Sequence, residues 1–358
     1  MSTADARRVL NDAIARRVFP AAVFDVGSSG GSLSRQALGS LTFDVDAPSS
    51  DDGTIFDLAS LTKVVATTTV VMELSRTGAI GLDEPVADCF PEWRGDDRKR
   101  VTIRDLLEHS SGLPARLIEA SAGGRREFEH DICTMPLEYE PRSRSVYSDL
   151  GFILLGFLVA DRGAHPLDAQ FEEIRLRLFQ RGAAPAEELL AFFVASAGRD
   201  RTAPTIPLEQ DVRRGRRLVG EVHDDYAAAL GGVAGHAGLF GTASGLAAFA
   251  RVVLRAARGT GAGPEPFSPS RVREFTSRSG VPRSSRALGW DTMLPTSSCG
   301  VHMSAAAFGH VGFTGTSLWI DPQQDRYFVL LTNRTMGGGS LEQIRQVRRD
   351  FHDALASF

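Results

Sequence analysis

The strand signals in this chain lie only near its two ends, and that limits its fold to few arrangements. "AAVFDVGSSGGSLSRQALGSLTFDV" (residues 21–45) reads as short strands joined by Gly/Ser turns, and "AAAFGHVGFTGTSLWIDPQQDRYFVLLTN" (305–333) holds two β-rich runs around the polar turn "DPQQDR". From about residue 80 to 245 the alternation vanishes, and "TIRDLLEHSSG", "DLGFILLGFLVADRG" and "PLDAQFEEIRLRLFQ" read as helices broken by Gly and Pro. An isolated hairpin is marginal in water, so the two ends are expected to share one sheet. The pattern predicts an α+β fold, an antiparallel sheet flanked by helices over 4–17 and 340–355, with an all-α domain inserted. The expected division is residues 1–74 and 246–358 for the α/β domain and 75–245 for the helical insert.

Within this frame one helix stands out. "SLTKVVATTTVVMELSR" (60–76) is apolar on most faces, which marks a buried, central helix, yet it carries Lys63. Only Lys63 and Lys99 are lysines among the 40 basic residues, so a position needing charge alone has been free to become arginine. Ser60 lies three residues before Lys63, about one helical turn away on the same face. A serine hydroxyl is a weak nucleophile until a neighbour takes its proton, and a desolvated lysine can do so where arginine cannot. S-x-x-K also arises by chance, so the pair is not decisive by itself.

Two further pieces carry chemistry. "VYSDLGFILLG" places Tyr147 two residues before Asp149 at the mouth of a helix, and "GHVGFTGTSLW" places His310 and Gly312 on a late strand. Each has a structural reading: Tyr147 packed by its ring, Asp149 as a helix cap, His310 and Gly312 in a turn or core. "GSSGG" (27–31) fits the G-x-S-x-G nucleophile elbow around Ser29, but a strand-like run follows it where that motif needs a helix, so a hairpin turn is expected. His236 in the glycine-rich "GGVAGHAGLFGTASG" is read as part of a loop bordering the cleft, with a phosphate nest or a catalytic histidine as alternatives.

Taken in order, S-x-x-K on a buried helix, Y-x-[ND] at a helix start and [KH]-x-G on a late strand resemble the serine β-lactamase and penicillin-binding protein superfamily. In flavour the chain is similar to the class C β-lactamases and their D,D-peptidase and esterase relatives. "TIRDLLEHSSGLP", "HDDYAAALGGVAGHAGLFGTASG", "LGW" (288–290) and "LLTNR" (330–334) extend the resemblance to nearly the whole chain. It implies a site in the cleft between the two domains, with Ser60 the acylated nucleophile, Lys63 its partner and Tyr147 a proton shuttle. Asp149 takes the place of the usual Asn and His310 that of the usual Lys, and the peptide N–H groups of Ser60 and Phe313 form the oxyanion hole. The implied activity is that of a serine hydrolase on an ester or amide: esterase, D,D-peptidase or β-lactamase. The alternative is a penicillin-recognising or substrate-binding module of the same fold that acylates without turnover.

The two departures bear on substrate. A histidine at 310 is mostly neutral at neutral pH, more so when buried beside Lys63, which predicts weak carboxylate binding and a preference for neutral esters. Arg142, Arg144 or Arg286 could restore the missing charge. Asp149 near Lys63 would favour the ammonium form and leave Tyr147 as base.

Composition narrows the partners. A net charge of −4 with scattered arginines gives no nucleic-acid footprint. Cys89, Cys133 and Cys299 lie far apart, and no H-E-x-x-H occurs, so neither metal nor other cofactor is expected. The N-terminal "MSTADARRVLNDAIARRVFPAAVF" lacks the apolar core of a signal peptide, which points to a cytoplasmic protein, or a periplasmic one if a leader has been trimmed from it, acting on a small-molecule or peptidic substrate. Oligomeric state is not encoded in any pattern here.

Overall fold

A computed structural model describes residues 2–117, 123–179, 188–260 and 265–355. Its main sheet has six antiparallel strands drawn from both ends of the chain: β1 (Ala21–Ser28), β2 (Gly31–Gly39), β6 (Asp291–Thr292), β7 (Phe308–Val311), β8 (Ser317–Asp321) and β9 (Arg326–Thr332). Their spatial order is β2-β1-β9-β8-β7-β6, so β1 sits between its hairpin partner and the last strand of the chain. Ser29 occupies the tip of the β1–β2 hairpin, where its hydroxyl donates to Asp325 at 3.0 Å. G-x-S-x-G is therefore a turn here, as the following strand-like run suggested.

The period-two alternation of the strands builds two layers. Phe24 and Val26 of β1, Trp319 of β8 and Phe328 and Leu330 of β9 pack with the terminal helices Thr3–Ala15 and Leu341–Leu355, through Leu10, Ile344 and Phe351. The alternate positions Val23, Leu318, Ile320, Val329 and Leu331 join the core of the helix Ala243–Arg258, through Leu246, Phe249 and Val253. A sheet covered on both faces needs apolar residues at successive positions, and seven of the eight residues of β1 are buried.

The segment between is mainly helical, including Ile103–Leu107, Arg125–Thr134, Asp149–Arg162 and Leu167–Phe179. It also supplies two-residue strands, β4 (Leu190–Ala191) and β5 (Phe240–Gly241), which with β3 (Phe56–Asp57) form a small sheet of order β3-β5-β4. Two-residue strands leave no alternation to read, and these are set by the tertiary contacts around them. The same buried cluster runs from Val329 in the sheet through Val64 to Phe152 and Phe171 among the helices, so the two halves share a core. No single described helix is long and apolar enough to cross a membrane.

Candidate active site

The expected helix over 60–76 opens differently from a regular α-helix. Ala59 adopts a left-handed conformation (φ +48°), Lys63–Thr67 is a π-helical turn, and only Thr68–Thr77 is regular. A non-glycine residue there costs about 1 kcal/mol, so something must hold it. The buried Asp57 does: one carboxylate oxygen accepts the Ala59 N–H at 2.8 Å and the other the His223 N–H at 2.6 Å. Thr62 closes the turn by donating its hydroxyl to the Ala59 carbonyl at 2.6 Å. The turn delivers Ser60 to the wall of a cleft of about 280 Å³.

Lys63 points at Ser60 from below. Its Nζ is fully buried and donates to Ser60 Oγ at 3.1 Å, Asp149 Oδ1 at 2.7 Å and the His236 carbonyl at 3.0 Å. Three acceptors match the three hydrogens of an ammonium. Burial alone would lower the lysine pKa, but Asp149 and then Tyr147 outweigh it and raise the pKa above the usual value. Lys63 thus rests as a cation. Desolvation alone suggests a neutral amine, and the carboxylate reverses that.

Tyr147 and Asp149 are placed by the chain around 109–115. Val146 N–H donates to the His109 carbonyl, Ser148 N–H to His109 Nδ1 at 3.1 Å, and Asp149 N–H to the Ala115 carbonyl at 3.0 Å. Ser148 is the N-cap of the helix that follows, so Asp149 is not the cap but its first residue, with its carboxylate turned to Lys63. The Tyr147 ring lies 4.8 Å from the His109 ring and 4.9 Å from Lys63 Nζ. Its buried hydroxyl faces Lys63 and Ser60, and burial raises its pKa, with Lys63 and Ser60 opposing.

His310 is buried at the end of β7, its ring 5.8 Å from that of Tyr147. Nδ1 lies 2.9 Å from the Val311 carbonyl, which requires a hydrogen on that nitrogen, and Nε2 has no partner. Burial first, then Arg286 and Lys63, lower its pKa well below the usual histidine value, so it is neutral.

Gly312 is required by close approach: a Cβ there would fall 2.6 Å from the Leu58 carbonyl and 2.1 Å from Thr316 Oγ1. The β7–β8 turn is sewn to the segment that leads into Ser60, with Thr314 Oγ1 donating to the Asp57 carbonyl at 2.8 Å and Thr316 Oγ1 to the Leu58 carbonyl at 3.0 Å. Ser60 and Phe313 both line the cleft, and their peptide N–H groups donate to no other group among the described residues.

Of the three arginines considered from sequence, the structure brings only Arg286 to the site. It lines the cleft 5.1 Å from the Tyr147 ring centroid and forms no ion pair among the described residues. Arg142 is paired with Asp105 at 2.6 Å, and Arg144 lies over Tyr139. Arg116 also lines the cleft, but it is neutralised by Asp224 at 3.1 Å and by Asp225. Sequence reasoning missed Asp57, Arg116, Asp224, Thr314 and Thr316. "FDLAS" and "FTGT" gave no signal beyond their nearness to the motifs. No group of three or more His, Cys, Asp or Glu side chains fit for a metal occurs among the described residues.

Comparison with known proteins gives the family and the fold. The beta-lactamase family profile matches residues 6–352. The chain belongs to the beta-lactamase family. It is 32% identical over 311 residues to a putative D-alanyl-D-alanine carboxypeptidase of Escherichia coli K12, covering 79% of this chain and 69% of the relative. It is 32% identical over 309 residues to an N-acetylmuramyl-L-alanine amidase of Bacillus subtilis 168, covering 78% and 68%. A class C beta-lactamase from Rhodobacter sphaeroides superposes with a TM-score of 0.74 over 98% of this chain and 99% of its own, at 18% identity. Together these make the protein a serine hydrolase of the beta-lactamase family, with the antiparallel sheet and flanking helices of that fold.

Proposed function

We propose that this protein cleaves an amide through a covalent acyl-enzyme on Ser60, and that its substrate carries a carboxylate bound by Arg286. The observation that carries the first part is the Lys63 tripod, which holds a cation 3.1 Å from a serine oxygen exposed to a cleft. In the attack, Ser60 Oγ bonds to the substrate carbonyl carbon and the carbonyl oxygen becomes an oxyanion held by the Ser60 and Phe313 N–H groups. Tyr147 first releases its own phenolic proton to solvent, at lower cost beside the Lys63 ammonium, and the phenolate so formed takes the serine proton. Tyr147 then gives that proton to the departing nitrogen as the bond breaks. Water attacks the ester in the second half and repeats the proton traffic in reverse.

The second part rests on Arg286. The expectation of neutral esters followed from His310, but an arginine with no ion pair among the described residues, beside Tyr147 and His310, supplies the permanent charge that a histidine does not. Both curated relatives are named for amide cleavage, one of them at a C-terminal D-alanine, where the leaving group bears a free carboxylate. The test compares a peptide ending in D-alanyl-D-alanine with the same peptide amidated at its C-terminus. The free acid is expected to be cleaved with kcat/KM higher by about tenfold or more, as for a charge-assisted hydrogen bond. Arg286→Ala should erase that ratio. Equal cleavage of the two peptides by the wild type refutes the anchor, and persistence of an undecayed acyl-enzyme would favour the non-turnover module.

A further inference from the structure

The third acceptor of Lys63 is a backbone carbonyl, that of His236, and the side chain of the same residue closes a ring around the site. His236 Nε2 lies 2.7 Å from Asp224 Oδ1. Asp224 Oδ2 lies 3.1 Å from Arg116 Nη1, which is in turn 3.6 Å from Asp149 Oδ2. Asp149 Oδ1 holds Lys63 Nζ at 2.7 Å, and Lys63 Nζ returns to the His236 carbonyl at 3.0 Å. Charges alternate around the ring: Lys63, Asp149, Arg116, Asp224.

The loop that bears His236 is clamped on either side of it. Gly235 accepts the Thr67 hydroxyl at 2.6 Å, and Leu239 N–H donates to Thr62 Oγ1 at 3.1 Å. Gly235 also presses on the Asp149–Arg162 helix, where a Cβ would meet the Phe152 carbonyl at 1.9 Å. Asp224 is fixed from a second direction by the Ala227 N–H at 2.8 Å. Burial would raise its carboxyl pKa, but His236 and Arg116 overcome this and hold it well below the usual range. The imidazole is 1% exposed, and its Nδ1 has no partner.

We infer that Asp224 and His236 are positioning residues for Lys63: by fixing the His236 ring they aim its carbonyl at Nζ and keep the cation under Ser60. This extends the Ser60 acyl-enzyme reading and rests on it. The imidazole is not the base. Asp224 takes the Nε2 hydrogen and leaves the lone pair on Nδ1, but that nitrogen is buried with no partner among the described residues, and His236 is not among the residues that line the cleft. The charged and titratable groups facing Lys63 are Asp149, Tyr147, His109 and His310, with Arg116, Asp224 and His236 one step behind. Loosening the carbonyl removes one of three acceptors for the ammonium, so the cation is lost at a lower pH.

The experiment measures hydrolysis of p-nitrophenyl butyrate by the full chain across pH for wild type, His236→Ala, His236→Gln and Asp224→Asn. Glutamine places an N–H near the position of imidazole Nε2 and can still donate to Asp224. His236→Ala is expected to lower kcat about tenfold, one misaligned hydrogen bond in the transition state, with KM within about twofold. Its alkaline limb should move to lower pH, and His236→Gln should recover kcat to within about threefold of wild type. If His236→Ala lacks a cooperative melting transition, Asp224→Asn decides: releasing Arg116 toward Asp149 should move the alkaline limb the same way. Wild-type kcat and pH profile in His236→Ala overturn the inference, as does His236→Gln impaired as fully as His236→Ala. An unmoved limb in Asp224→Asn overturns it too. Hydrolysis surviving in Ser60→Ala, run alongside, would instead remove the acyl-enzyme reading itself.

Discussion

Replacing Asp149 with asparagine tests what keeps Lys63 charged. The pair is buried, with Lys63 at 0% and Asp149 at 12% side-chain exposure, and separated by 2.7 Å. At an effective dielectric of about 20 the attraction across that distance is about 6 kcal/mol, against several kcal/mol lost on desolvating the two ions. Removing one partner leaves the other uncompensated, which costs about 3–5 kcal/mol. The asparagine oxygen still accepts one hydrogen bond, so the expected loss at pH 7 is at the lower end, about 3 kcal/mol. The sign of the pH dependence follows from Lys63, whose folded pKa is raised above its unfolded value. That contribution is complete below the unfolded lysine value of about 10.4 and is lost as pH rises through the folded one. In Asp149→Asn the lysine loses its proton earlier, so the difference from wild type should shrink as pH rises from 7 toward 10. Urea unfolding of both proteins at several pH values reads this directly, and ester hydrolysis should show the alkaline limb of the variant displaced to lower pH. A stability loss under about 1 kcal/mol at pH 7, or an unmoved limb, would mean that Asp149 is not what holds the cation, and the assignment of Tyr147 as base would fall with it.

Two other outcomes follow from the same geometry. Gly312→Ala must push the Leu58 carbonyl, 2.6 Å from the new Cβ, out of the seam between the Ser60 segment and the β7–β8 turn. Melting and urea curves should show a loss of about 1–3 kcal/mol, and kcat should fall by more than KM changes. Asp57, fully buried and pushed up to about 6 from 3.8 mainly by desolvation, binds its proton more tightly in the folded chain. Its contribution is complete below about pH 4 and is lost as pH rises through about 6, a change of about 3 kcal/mol. Asp57→Asn should remove that component from the pH dependence of unfolding, and identical pH slopes in the two proteins would contradict the assignment.

The strands were readable because a half-covered or fully covered sheet forces alternation or apolar runs over several residues, as in β1 and β9. Ser60 with Lys63, Tyr147 with Asp149 and His310 with Gly312 could be singled out because the members of each pair lie two or three residues apart in the chain. What escaped lies between elements. Asp57 gains its role only when the 223 loop folds onto it, and Arg116 and Asp224 meet 108 residues apart in the chain. The left-handed Ala59 and the π turn after it leave no periodicity to detect. Whether Arg286 and not Arg142 or Arg144 reaches the cleft is likewise decided by tertiary contacts, since all three follow helical segments and look alike in sequence.

The central claim is a covalent intermediate on Ser60, and intact-protein mass spectrometry after rapid acid quench tests it most directly. Mixed with a fluorophosphonate or a slowly turned-over acyl donor, the wild type should gain one acyl or phosphonyl mass, mapped by peptide digestion to Ser60. Ser60→Ala should gain none, and Ser29→Ala should be labelled like the wild type. Labelling that persists in Ser60→Ala, or maps to the Ser29 hairpin, would contradict the account.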